Sequence, residues 1–199
     1  MNEATAHRVK MFALGAGMLA SSGVLAARPR IPQVEESIFH AINRVSSKPA
    51  LGIKAVMQLG TFGVVPVASA IAYKTGRKEL AARLALGGTA AWLGAKAVKR
   101  TVERGRPAAL HRVEKMRGNH GGDFGWISGH TAVATTLACV FAPALPRRAR
   151  PTLAALAAAV GIGRIYVGAH EPLDVVGGAG FGLMVGSLFH GVEDKGATR

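Results

Sequence analysis

The stretch VVGGAGFGLMVGSLF at residues 175–189 decides the fold. It carries no charge, and Gly178, Gly182 and Gly186 recur at every fourth position. Small residues at that spacing let helix backbones approach closely in lipid, where apolar faces gain nothing by leaving their surroundings. The spacing predicts a membrane helix enclosed by other helices. Five more apolar runs lie upstream, at residues 11–27, 51–73, 80–98, 131–145 and 152–169, and Gly87, Gly88 and Gly94 offer similar packing in the third. The reading is an all-α, polytopic membrane helical bundle of about six transmembrane helices, a single domain over residues 1–199. Several runs fall short of the ~20 residues that cross a bilayer. The 131–145 run must recruit Ser128 to His130 at its mouth or sit in a thinned membrane.

Composition agrees. The chain has 199 residues, 49% of them hydrophobic, with a mean hydropathy of +0.25, more than a soluble domain of this size carries. The net charge of +14 gathers in short clusters between apolar runs, which suits anionic lipid head groups and argues against nucleic acid as a partner. The single cysteine, Cys139, sits inside an apolar run, so no disulfide framework or cysteine metal site is expected.

After Pro32, Val34, Ile38, Ile42 and Val45 recur at helical spacing, with Glu35, Glu36, Asn43 and Arg44 on the other faces. An interfacial helix, or a connector helix lying on the protein, is expected there. Arg8 and Lys10 ahead of the first run, with Ala26 and Ala27 at its end, also fit a cleavable signal peptide. Cleavage would leave five spans.

Three polar blocks remain: Lys99-x6-Arg106-Pro107, Ser128-Gly129-His130 and Arg164-x5-His170-x3-Asp174. With six spans, the segment 99–127 joins runs three and four while His170 joins runs five and six, so all blocks emerge at one membrane face. The opposite face holds Arg8, Lys10, Lys74, Arg77, Lys78, Arg147, Arg148 and Arg150 in short loops, as cytoplasmic loops do. The blocks are therefore expected on the extracytoplasmic face of a multi-pass cytoplasmic membrane protein. Arg104, Arg112, Lys115 and Arg117 on the block side are read as cations available to a substrate.

Lys99 and Arg106 lie about two helical turns apart, so a helix running to Pro107 would align them on one face. With Arg164, the Ser128 hydroxyl and the backbone at Gly129, they make a cradle for phosphate oxygens. His170 is the expected nucleophile, and Asp174, in the first turn of a helix opened by Pro172, orients its ring. His130, at the start of a helix, is the expected general acid. No spacing of histidines and carboxylates offers three ligands to one metal, and no cofactor is called for.

In order and internal spacing the blocks resemble the three signature motifs of the type 2 phosphatidic acid phosphatase superfamily: Lys-x6-Arg-Pro, Pro-Ser-Gly-His and Ser-Arg-x5-His-x3-Asp. The resemblance covers residues 99–174. It implies a six-span bundle in which His170, His130 and Asp174 are catalytic and Lys99, Arg106, Ser128, Gly129 and Arg164 bind phosphate. It further implies a metal-independent, small bacterial-type lipid phosphatase working through a phosphohistidine. A polyprenyl phosphate or diphosphate, a polyprenyl phosphosugar phosphate, phosphatidate and phosphatidylglycerol phosphate all fit as lipid phosphate substrates. Ile127 replaces the motif proline and Gly163 the motif serine, so a less rigid turn and one missing phosphate hydroxyl are expected. The alternative is a non-catalytic protein that binds or transports a lipid phosphate. Neither the oligomeric state nor the role of the loop 111–123 is set by the sequence.

Overall fold

The computed structural model describes residues 2–109, 113–118 and 124–191. Among them the chain forms eight α-helices: α1 (Glu3–Ala26), α2 (Gln33–Asn43), α3 (Ala50–Met57), α4 (Val64–Lys74), α5 (Lys78–Val102), α6 (Gly129–Phe141), α7 (Arg150–Tyr166) and α8 (Pro172–Phe189). The described residues form no strand, only an isolated bridge between Gly105 and Phe124.

The glycine-rich run becomes α8, at the centre of the bundle. A Cβ on Gly178 would lie 2.4 Å from the Ser128 carbonyl oxygen, one on Gly182 2.6 Å from that of Ala132, and one on Gly186 2.6 Å from Cys139 Cβ. That stripe therefore lies against α6. On another face Gly180 meets Gly15 of α1, each within 2.7 Å of the other's backbone oxygen once a Cβ is added. α5 closes the third side, its Gly94 and Gly87 accepting the Phe181 and Phe189 rings. α1 thus packs as a resident helix of the bundle.

The 51–73 run is broken rather than continuous. α3 passes through a 3-10 turn, Gln58–Gly60, and α4 leaves it bent by 67°. Gly60 sits where a Cβ would be 2.5 Å from the His130 carbonyl oxygen, so the break lies against the start of α6. α1 and α8 are long and apolar enough to cross a bilayer, with a third span if the bent pair counts as one. The expectation of about six is thus not reached on length and composition. α6 and α7, with 13 and 17 residues, are short of ~20, and α5 has the length but carries Lys78, Glu79, Arg83 and Lys96. Large apolar side chains nevertheless stand exposed around the bundle, among them Leu14, Val24, Leu86, Leu93, Ile162 and Leu188. A surface of this kind belongs against lipid.

The ends of the bundle differ. At one end α1 and α8 meet through the Arg8 guanidinium, which donates to the carbonyls of Ser187 and Leu188 at the α8 C-terminus, and Arg77 donates to Ala144 O. The three polar blocks gather at the other.

α2 turns its polar face inward. Glu35, Phe39 and Asn43 are buried, while Val34 and Ile38 are 71% and 43% exposed. The outward apolar stripe suits an interfacial helix, and the inward polar residues find partners in the site below.

Replacing Gly178 by Val should push α6 off α8, lowering the thermal midpoint of the purified protein by an amount equivalent to ~1–3 kcal/mol or more. Gly17→Ala, where an added Cβ meets nothing within 4 Å, should leave it unchanged or raised. Thermal unfolding in detergent distinguishes the two.

Candidate active site

Glu103 adopts a left-handed conformation (φ 50°) and ends α5 one turn after Lys99. Arg106 therefore lies beyond the helix, not on its face, which corrects the expectation of a helix running to Pro107. It is carried back by an extended segment in which Gly125 N–H donates to Arg104 O (2.7 Å), and its guanidinium reaches Ala169 O at 3.3 Å. The Lys99 ammonium donates to the carbonyls of Phe124 (3.2 Å) and Gly125 (3.0 Å), tying this segment to α5.

The second block starts α6. Ser128 is its N-cap: Oγ accepts from Thr131 N–H (3.4 Å) and from the Thr131 hydroxyl (2.9 Å), which leaves the serine hydrogen to donate elsewhere. Gly129 and His130 form the first turn, half-buried, where the helix end favours an anion.

The third block spans the end of α7 and the start of α8. Arg164 is 8% exposed, and its Nε is buried without a hydrogen-bond partner. Pro172 occupies the first turn of α8, and Glu171 and Asp174 form a reciprocal capping box in which Glu171 N–H donates to Asp174 Oδ2 at 2.9 Å. The same oxygen faces His170 Nδ1 at 3.3 Å, and both side chains are almost completely buried. Nε2 of His170 is left for chemistry.

Lys99, Arg164, Arg106 and His130 all lie close enough to act on the charge of His170. Burial first, then these groups in that order, hold its imidazole well below the ordinary 6.5. These influences favour the neutral ring, the form in which an imidazole nitrogen can act as a nucleophile. Every residue picked from the three blocks is at this end of the bundle, where Lys99 is within electrostatic reach of both His170 and Asp174. Among the described residues no group of three His, Cys, Asp or Glu is placed to hold a metal ion.

The model of the PAP2 superfamily matches residues 80–196. The chain belongs to the PAP2 superfamily. Two solved structures are similar: LpxE from Aquifex aeolicus, at 26% identity over 77% of this chain and 92% of that one with a TM-score of 0.68. The other is the first transmembrane PAP2-type phosphatidylglycerolphosphate phosphatase from Bacillus subtilis, at 22% identity over 88% and 94% with a TM-score of 0.65. No curated protein matched the sequence.

Within this PAP2 fold the two departures from the motifs read differently in three dimensions. A Cβ on Gly163 would stand 2.7 Å from Met57 Cγ and 3.2 Å from Ile53 Cγ2. A serine at that position would be driven into α3, so Gly163 answers to helix packing and not to a lost phosphate contact. Ile127 is fully buried beside Ala95, Trp126 and Ala132. Packing therefore holds the turn that proline would have stiffened.

Sequence reasoning missed Glu35 and gave Arg104 to substrate, whereas it is engaged within the protein. Arg104 reaches Asp174 Oδ1 at 3.2 Å and is gripped at both ends by Glu35 of α2, at 2.9 and 2.7 Å. The signal for Glu35 was its register with Phe39 and Asn43, one face of α2 at four-residue intervals. Arg117, expected to serve substrate, is instead structural: it donates to Tyr166 O, Val45 O and Ser47 Oγ and lies over the Tyr166 ring. Lys115 joins it, its backbone N–H donating to Asn43 Oδ1 and its carbonyl accepting from Asn43 Nδ2. Residues 110–112 and 119–123 of the adjoining loop, including Arg112, His111 and His120, lie outside the described residues.

A histidine-labelled sample titrated by 15N NMR should show His170 neutral at pH 6. Protonation of His170 at or above 6.5 would contradict the electrostatics described.

Proposed function

We propose that this protein is a metal-independent membrane lipid phosphatase that removes a terminal phosphate from a lipid monoester or diphosphate through a phosphohistidine. The observation that carries the reading is the buried His170–Asp174 pair facing Lys99, Arg106, Arg164 and His130. In the first step His170 Nε2 attacks phosphorus, the bond to the lipid oxygen breaks, and protonated His130 donates to that oxygen. In the second, His130 takes a proton from water, the water oxygen attacks phosphorus, and the P–N bond breaks to give inorganic phosphate. Asp174 holds Nδ1–H and stabilises the imidazolium character that develops. Lys99, Arg106 and Arg164, with Ser128 and the α6 N-terminus at Gly129, balance the charge on the three equatorial oxygens, a role that other phosphoryl-transfer sites give to metal ions.

Belonging to the PAP2 superfamily supports phosphatase chemistry, and the Bacillus subtilis relative is described as a phosphatidylglycerolphosphate phosphatase. The substrate proposed here is the broader class: polyprenyl phosphates and diphosphates, a polyprenyl phosphosugar phosphate, phosphatidate or phosphatidylglycerol phosphate. The basic end opposite the site supports an extracytoplasmic catalytic face in the cytoplasmic membrane.

His170→Ala should reduce phosphate release from short-chain lipid phosphates by about a thousandfold or more, and Arg164→Gln by about a hundredfold. Activity should survive a strong chelator. The reading is overturned if His170→Ala retains the full rate, or if the wild-type protein retains lipid phosphate without releasing phosphate, as a binding or transport protein would. A panel of the lipid phosphates above, compared by kcat/KM, would identify the substrate.

A further inference from the structure

Glu35 lies outside the residues matched by the family model and outside every motif, yet its carboxylate is almost fully buried. A buried carboxylate persists only when paired and hydrogen-bonded. Here both oxygens take the Arg104 fork, and Oε1 also accepts Leu173 N–H at 3.0 Å in the first turn of α8. Arg104, 8% exposed, spends its third contact on Asp174 Oδ1. Asp174 is therefore held at both oxygens: Oδ1 by Arg104, Oδ2 by Glu171 N–H and His170 Nδ1.

The charges decide what this arrangement does. Arg104 alone beside Asp174 would cancel the negative charge that a forming imidazolium needs. Counted by themselves, Glu35, Arg104 and Asp174 carry one net negative charge beside His170; the buried Glu171 carboxylate also acts on Arg104, and Lys99 on Asp174, and neither is altered by the variants below.

We infer that Glu35 and Arg104 are a positioning pair for Asp174. Arg104 fixes the carboxylate so that Oδ2 faces His170, and Glu35 fixes Arg104 while offsetting its charge. The inference rests on the reading of His170 as nucleophile.

The test uses the full-length protein in detergent with a short-chain lipid phosphate. Kinetic constants, the pH dependence of kcat/KM and the thermal midpoint are measured for wild type, Glu35→Gln, Arg104→Lys and the double variant Glu35→Gln/Arg104→Gln. Glu35→Gln leaves Arg104 uncompensated, so His170 binds a proton and a phosphoryl group less well. Its kcat should fall by about tenfold or more with KM within about twofold, and its acidic limb should move to lower pH. The double variant restores the net charge but not the orientation: its acidic limb should return to the wild-type position while kcat stays low. Arg104→Lys keeps the charge but loses the fork, so kcat should fall with the limb unmoved. If the Glu35 variants do not fold, Arg104→Lys alone decides, and a wild-type kcat there overturns the inference. Folded Glu35→Gln with a lowered thermal midpoint but unchanged kcat and pH profile also overturns it, leaving a structural clip between α2 and α8. An active His170→Ala instead defeats the underlying reading, a different outcome from inactive His170→Ala beside normal Glu35→Gln.

Discussion

A fully buried carboxylate, Asp174, is the constraint around which this end of the molecule is arranged. An ionised group out of water is tolerated only where donors surround it. Its donors come from separate stretches of chain: Arg104 after α5, His170 after α7 and Glu171 at the cap of α8. Its own backbone carbonyl accepts Ser128 N–H at 2.8 Å, which sets the start of α6. Gly125 passes so close that a Cβ there would lie 2.8 Å from Asp174 Oδ2. Shifting this one side chain would disturb the ends of three helices and the segment that carries Arg106.

The cations are not equivalent. Lys99 and Arg106 spend contacts on backbone carbonyls, so each both presents charge and fastens the loop that bears it. Arg164 sits within a helix, its Nε buried without a partner. Repulsion among these groups is a cost that an incoming anion relieves, so a site built this way favours the bound state electrostatically.

The glycine register of α8, the Pro172–Asp174 cap and the three blocks were legible in the sequence because each is a pattern of residue types at a fixed local spacing. The helix expected to join Lys99 to Arg106 was not, because Glu103 turns left-handed to let the segment pair with residues 124–125, about twenty positions away. The break in the 51–73 run has a similar cause, since Gly60 answers to the His130 carbonyl of a distant helix. The role of Glu35 was not legible, because its partner Arg104 lies 69 positions away and only the packed fold brings the two together. Six spans could be counted from hydropathy, but among the described residues helix length and composition support two, or three with the bent pair; within α5, Arg83 is met by Glu79 and Lys96 by the Trp92 ring.

The pairing of α1 with α8 through Gly15 and Gly180 joins helices about 165 residues apart in the chain. Because α8 also carries Asp174, the carboxylate platform cannot form until α8, made after α1 to α7, has docked between α1 and α6. Until then the chain presents its cluster of cations without the acid that organises them, and the loop-closure entropy of that distant pairing is met only as α8 packs.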